Sequence, residues 1–257
     1  MVRPKKSLGQ HFLKEESIAR RIADTIDMYP QLPVLEVGPG TGMLTQFLIE
    51  KERDLKVVEI DLESIEYLNH HFPQLKNKII QQNFLTLDLS VYYEGPICII
   101  GNYPYNISSQ IFFKVVDNKD MIPCCTGMIQ KEVAERMTAK PGSKTYGILS
   151  VLLQAWYDIE YLFTVNEGAF NPPPKVKSAV VRLTRNSRTQ LECDENLFKS
   201  VVKNCFNQRR KMIRNSIKSV LPPDTRLPDH SFFTMRPEQL SITQFEELTR
   251  LIDPLRN

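Results

Sequence analysis

Apolar residues along this chain follow two regimes. Through roughly the first two-thirds, short apolar runs alternate with amphipathic stretches. Runs over 34–37, 56–60, 79–82 and 97–101 have the length and branched-residue content of buried strands. Helical spacing marks 43–51, 62–72 and 108–116 between and after them. Strands alternating with helices at this interval predict parallel βαβ units and an α/β fold with a doubly wound sheet. Beyond Val180-Val181-Arg182-Leu183 the alternation stops, and Arg185-Asn186-Ser187-Arg188 reads as a polar linker. Only helical periodicity follows: Val202, Phe206, Ile213, Ile217 and Val220 share one stripe. Ser241-Ile242-Thr243-Gln244 fits a capping box opening a helix that buries Phe245, Leu248 and Ile252. The expected organisation is an α/β domain over 1–186 and a small all-α domain over 187–257, without internal repeats.

Two strand ends carry the chemistry. In open α/β sheets ligands bind beyond the carboxyl ends of the strands. The first end runs into Gly38-Pro39-Gly40-Thr41-Gly42. A dinucleotide fingerprint needs a further glycine where this chain has Met43. The shorter glycine triplet suits S-adenosylmethionine, which has no pyrophosphate. Glu59 and Asp61 end the next strand. Asp61, just before Leu62, is the better helix cap, which leaves Glu59 to accept both ribose hydroxyls. Gln82-Asn83-Phe84 ends the third strand and offers an amide to an adenine amine.

The second chemical corner is Asn102-Tyr103-Pro104-Tyr105, a polar turn with flat apolar walls. The N6 amine of adenine is a weak nucleophile because its lone pair is delocalised into the ring. The Asn102 oxygen and a neighbouring backbone carbonyl can accept its two N–H groups and free that lone pair. Asparagine suits the role as a neutral, directional acceptor. Tyr105 can stack on the base. Together the corners predict an enzyme that methylates a nucleic-acid nitrogen.

Charge changes the picture only locally. The net charge is +3, but residues 182–218 hold ten Lys/Arg against three Asp/Glu, leaving the rest of the chain negative. Arg210, Lys211, Arg214 and Lys218 fall at helical spacing on overlapping faces, a pattern suited to RNA phosphates. Arg209 lies nearer the apolar stripe and is expected to be buried, its stem packed and its head paired. No run approaches a membrane span, and Met1-Val2-Arg3-Pro4-Lys5-Lys6 lacks the apolar core of a signal peptide. Five cysteines without metal spacing imply reduced thiols in a cytosolic protein and no zinc site. His70-His71 and His230 form no constellation and are expected to be exposed.

With these residues in view, the chain resembles the KsgA/RsmA-type ribosomal RNA adenine dimethyltransferases nearly end to end. Lys6-Ser7-Leu8-Gly9-Gln10-His11-Phe12-Leu13 is similar to that family's N-terminal cofactor motif. Residues 34–42 resemble its glycine loop, and 101–106 its catalytic motif. Phe170-Asn171-Pro172-Pro173-Pro174-Lys175-Val176-Lys177-Ser178-Ala179-Val180 resembles its proline element, and Gln208-Arg209-Arg210-Lys211 with Arg214-Asn215-Ser216 its basic helix.

The resemblance implies a Rossmann-like class I methyltransferase fold with S-adenosylmethionine as cofactor. It implies that His11, Leu13, Gly38, Glu59, Asn83 and Asn102 line the cofactor site. It also puts Tyr105 and Phe170 on the two faces of the target adenine, and Arg210, Lys211 and Arg214 on RNA. The implied reaction is dimethylation of two neighbouring adenosines near the 3′ end of small-subunit (16S) rRNA, by a cytoplasmic, monomeric, metal-free enzyme. Two positions depart from the family pattern: Asn83 stands where aspartate is usual, and Tyr103 where leucine or isoleucine is usual. Rival readings are the antibiotic-resistance methyltransferase acting on large-subunit rRNA, and a non-catalytic ribosome assembly factor. Pro172–Pro174 and the basic helix favour the small subunit, and the intact Asn102 corner favours catalysis. Met43 disfavours a nicotinamide dehydrogenase.

Overall fold

The computed structural model describes residues 2–256. Met1, Asn257 and the side chain of Lys6, first residue of the N-terminal motif, lie outside the described residues. Two compact units are present, Met1–Ala134 with Asp158–Arg185, and Glu135–Tyr157 with Asn186–Asn257.

The elements run in the order β1 (Phe12–Leu13), α1 (Glu16–Ala23), β2 (Val34–Val37), α2 (Thr45–Ile49), β3 (Leu55–Glu59), α3 (Leu62–His71), β4 (Ile79–Gln81), β5 (Cys98–Asn102) and α4 (Ser108–Asp117). Then come β6 (Cys124–Gln130), α5 (Lys131–Met137), α6 (Ile148–Gln154), β7 (Tyr157–Val165), β8 (Phe170–Asn171), β9 (Ser178–Arg185), α7 (Glu195–Asn207), α8 (Ile213–Ser216) and α9 (Ile242–Ile252).

Seven strands form one sheet in the order β4-β3-β2-β5-β6-β9-β7. The strands from β4 to β6 are parallel, and β9 returns antiparallel against β6 with Cys124 opposite Thr184. The chain leaves β2 toward β3 on one side and later returns to pair β5 on the other. Right-handed crossovers therefore carry helices to both faces of the sheet. Cover on both faces explains why β2 is buried along its whole length and reads as a nearly continuous apolar run. Its exception is Glu36, 1% exposed. The expected strands and helices are present, with boundaries shifted by one or two residues. A small ladder pairs β1 with β8, setting Leu13 opposite Phe170.

The second unit is helical, but it is larger than 187–257 because it includes residues 135–157. All of Leu149–Leu153 in α6 is buried, so this helix lacks the polar face that would have marked it. Phe206 of α7 joins the pieces, its ring 5.9 Å from Tyr146 and 5.8 Å from Phe245.

The single basic helix is corrected. α7 ends at Asn207, a turn covers 208–211, and α8 is a separate short helix. Tertiary bonds outcompete helix continuation here. Ile213 N–H donates to Met235 O at 2.9 Å, and Arg209 donates to Ser143 O at 3.1 Å. The break lets Ile213 and Ile217 be fully buried while Arg210, Lys211 and Arg214 stay exposed. Arg209 is partly buried and faces Glu238 at 3.8 Å, in keeping with its place near the apolar stripe. Among the described residues, no helix is long and apolar enough to cross a membrane.

The Ser241 capping box forms as expected. Gln244 N–H donates to Ser241 Oγ at 3.2 Å, and Ser241 N–H to Gln244 Oε1 at 2.8 Å. Ser241→Ala should cost the protein about 1 kcal/mol, measurable as a lower urea midpoint with an unchanged slope.

Candidate active site

Parallel pairing of β2 with β5 sets two loops side by side at the carboxyl edge of the sheet. The glycine turn follows β2, and the Asn102 corner ends β5. Between them opens a cleft of about 820 Å³, open solvent at its mouth included. His11, Gly38, Glu59, Asn83, Asn102 and Tyr105 all line it. Gly38 takes φ +70°, a left-handed conformation that suits glycine, and its N–H donates to Val58 O at 3.0 Å. Phe170 does not line the cleft, and Leu13 lines a smaller adjoining pocket with Gly38, Gly40 and Asn102. Both are buried in the core, 5% and 2% exposed, as the β1–β8 ladder turns them inward. Phe170 therefore offers no open ring face to a base in this conformation.

Asn102 is held by its own amide. Its Nδ2 donates to the His11 carbonyl at 3.0 Å, so Oδ1 is the free end, with no donor among the described residues. His11 in turn bonds the Pro172 carbonyl through Nδ1 at 2.9 Å. A carbonyl only accepts, so Nδ1 carries the proton. The His11 ring stacks on Tyr105 with centroids 5.2 Å apart. Tyr105 also pairs its hydroxyl with Ser178 Oγ, and burial raises its pKa despite that bond. Ser178 lies in the proline element, where sequence assigned it no part.

Glu59 differs from expectation in its spare capacity. Its Oε1 accepts the N–H groups of Ile60 at 2.8 Å and Asp61 at 2.9 Å, and Oε2 accepts Gly40 N–H at 3.2 Å. A carboxylate oxygen has about two lone pairs, so only Oε2 retains an acceptor position. One oxygen, rather than a bidentate pair, is available to a ribose. Burial raises the Glu59 pKa, and the three backbone bonds oppose it.

Asp61 caps α3 through Glu63 N–H at 3.3 Å, as its position implied. It also binds Lys5 and accepts from Gln10 Nε2 at 3.2 Å and Ser64 Oγ at 3.1 Å. Burial would raise its pKa, but these bonds, Lys5 foremost, hold it below the usual value. Gln10 lies in the N-terminal motif, though nothing in the sequence joined it to Asp61. Asn83 is exposed at the cleft edge, and its Oδ1 accepts Leu85 N–H at 3.0 Å.

The lining contains no lysine or arginine among the described residues, and Glu59 is its single acid. A pyrophosphate would meet no cation here. A cationic nucleoside without phosphates meets a carboxylate, amides and apolar walls, so the site fits S-adenosylmethionine.

In the helical unit, Arg214, Arg226 and His230 line a separate open cleft with Leu227, Phe233 and Leu255. Arg214 Nε donates to Phe233 O at 3.1 Å, which steadies the guanidinium. His230 is half-buried and caps a turn through Phe232 N–H at 3.3 Å, whereas His70 and His71 are exposed.

Fold and cleft define a class I S-adenosylmethionine-dependent methyltransferase. Residues 1–253 match the model of the ribosomal RNA adenine dimethylase family, and the chain belongs to that family. It is 66% identical over 251 residues to a ribosomal RNA small subunit methyltransferase A of Parabacteroides distasonis, covering 97% of this chain and 94% of that one. A dimethyladenosine transferase from Plasmodium falciparum shares the fold at TM-score 0.76 and 23% identity, covering 95% of this chain and 98% of that one. The 23S rRNA methyltransferase ErmE matches at TM-score 0.66 and 28% identity, covering 93% of this chain and 99% of that one.

Behind the glycine turn, burial pushes the Glu36 pKa from its ordinary 4.5 up to about 8, with Glu59 adding repulsion and a 2.7 Å bond from Thr45 opposing. The folded state thus holds a proton that the unfolded chain releases. This contribution to stability is complete below about pH 4.5 and is lost as pH rises toward about 8. Glu36→Gln keeps an acceptor for Thr45 and removes the titration. Stability of the variant should vary less between these pH values and exceed that of the parent above pH 8, as read by chemical denaturation across a pH series.

Proposed function

We propose that this chain transfers methyl groups to the N6 amines of two adjacent adenosines near the 3′ end of small-subunit rRNA. The observation that carries the proposal is the Asn102 amide, with Nδ2 committed to His11 and Oδ1 left as a free acceptor at the cleft. S-adenosylmethionine, when bound, supplies an electrophilic methyl group. Gly38, Glu59 Oε2, Asn83 and the His11 segment are the residues proposed to hold it. Leu13 supports that segment from the core.

Asn102 Oδ1 accepts one N–H of the target amine, and a backbone carbonyl of the corner accepts the other. Pulling on both hydrogens draws the nitrogen toward tetrahedral geometry and localises its lone pair. No strong base is needed, because the amine proton becomes acidic as the nitrogen is alkylated and then passes to water. Tyr105 stacks on the base, an interaction worth about 1–3 kcal/mol. Phe170, buried in the core, anchors the start of the proline element. Positioning and preorganised acceptors supply most of the rate.

Arg210, Lys211 and Arg214, on a turn and a short helix, are proposed to meet rRNA phosphates. The relatives' name supports the small subunit as substrate. A monomer acting in the cytoplasm, with a further part in small-subunit assembly, completes the proposal.

Radiolabelled methyl transfer to unmethylated small subunits, set beside large-subunit rRNA, tests the substrate. Label on the large-subunit RNA alone would overturn it. Asn102→Ala should abolish transfer while retaining cofactor affinity by calorimetry, and a fully active variant contradicts the acceptor role. Neutralising Arg210, Lys211 and Arg214 together should reduce the slope of log affinity against log salt by about 2–3.

A further inference from the structure

Tyr103 lines the cleft yet is 1% exposed, because its ring turns away into the sheet. The phenol donates to Thr126 O at 2.7 Å and lies 3.3 Å from Cys125 Sγ. The ring meets Phe112 edge-on, with centroids 5.7 Å apart. It rests on Gly101 and Gly127, where an added Cβ would come within 3.0 and 2.7 Å of the ring. At Gly127 that Cβ would also lie 2.2 Å from Gly101 O, and φ is +153°, so glycine is required. The Tyr103 N–H donates to Met128 O at 3.0 Å. Its C=O receives no hydrogen bond among the described residues, so the carbonyl is the polar group this residue presents to the cleft. Burial raises the phenol pKa well above its ordinary value, which keeps the donor proton in place.

We infer that Tyr103 is a positioning residue. Its buried phenol, seated on Gly101 and Gly127, fixes the Tyr103 backbone carbonyl as the second acceptor for the target amine beside Asn102 Oδ1. This rests on the proposed adenine N6 chemistry. Three anchors hold one peptide unit: the N–H on Met128, the O–H on Thr126, and the ring on two glycines. Both acceptors must be in place together, since a misplacement of about 1 Å can cost about a hundredfold in rate. The side chain at 103 and the missing side chain at 127 form a matched pair: the aromatic ring fills the space over the glycine. The anchor matters most in the first methylation, when both N–H groups of the amine must be held.

Tyr103→Phe removes the hydroxyl and keeps the ring, and Tyr103→Leu removes both. Two measurements on the full chain test the role. In the free protein, hydrogen exchange over residues 102–107 should quicken about tenfold in the Phe variant with strands β2 and β3 unchanged, the effect of one lost hydrogen bond. On unmethylated small subunits, kcat should fall about tenfold while KM for S-adenosylmethionine stays within about twofold, the pattern of lost positioning. The Leu variant should be affected at least as strongly. An active wild type with a Phe variant equal to it in exchange and kcat overturns the positioning role. So does a fall in kcat that only follows a lower thermal midpoint. A wild type inactive on small subunits instead defeats the functional proposal itself.

Discussion

The pairing of β2 with β5 is the constraint on which the rest depends. Val34 lies opposite Cys98 and Glu36 opposite Ile100, so the two strands end almost level. The chain reaches β5 only after β3 and β4 have been laid on the other side of β2. Their following loops must therefore diverge to opposite faces, and a crevice opens where they part. Gly40 reaches Glu59 at the end of β3, and Asn102 reaches the N-terminal segment through His11. The Asn102 link would not form if β5 slipped by one residue, because every side chain of the strand would change face.

The crevice is unusual in where it keeps charge. Its lining acid, Glu59, and Glu36 behind the glycine turn are both buried, and no lysine or arginine lines it among the described residues. Glu36 and Glu59 face each other's field in a poorly solvated place, and burial lifts both pKa values. They are offset by backbone N–H groups and by the Thr45 hydroxyl, not by opposite charge. Asp61 sits two residues beyond Glu59 and is neutralised by Lys5 and bonded by Gln10 and Ser64. One acid thus ties down the N-terminal segment, while its neighbour stays poised toward the cleft. Glu59, the one acid at the cleft among the described residues, suits a cationic guest and disfavours an anionic one.

The central strands and the cleft-facing residues were legible because burial and ligand contact write themselves into local pattern. Val34–Val37 is buried on both faces, and six of the eight distinct cofactor and catalytic residues expected from sequence line one cleft. Less was legible where the cause is tertiary. β6 mixes Thr126 and Gly127 among apolar residues, and no strand was expected there. α6 is buried on every face over Leu149–Leu153, so periodicity could not distinguish it. Leu13 and Phe170 belong to motifs expected at the cofactor site, but motif membership does not say which way a side chain points, and a two-residue ladder decided it. The filled lone pairs of Glu59 depend on backbone amides from two separate loops. No spacing rule encodes that.

The turn after Asn207 carries a consequence for how the basic segment can be treated. Its charges are displayed by a bend that Ser143, Met235 and Glu238 hold open from distant parts of the chain. Cut out as a peptide, residues 200–218 would lose those partners and revert to coil or to one continuous helix, with the cations spaced differently. The basic segment is therefore not portable: grafting it onto another scaffold means transplanting its supports as well.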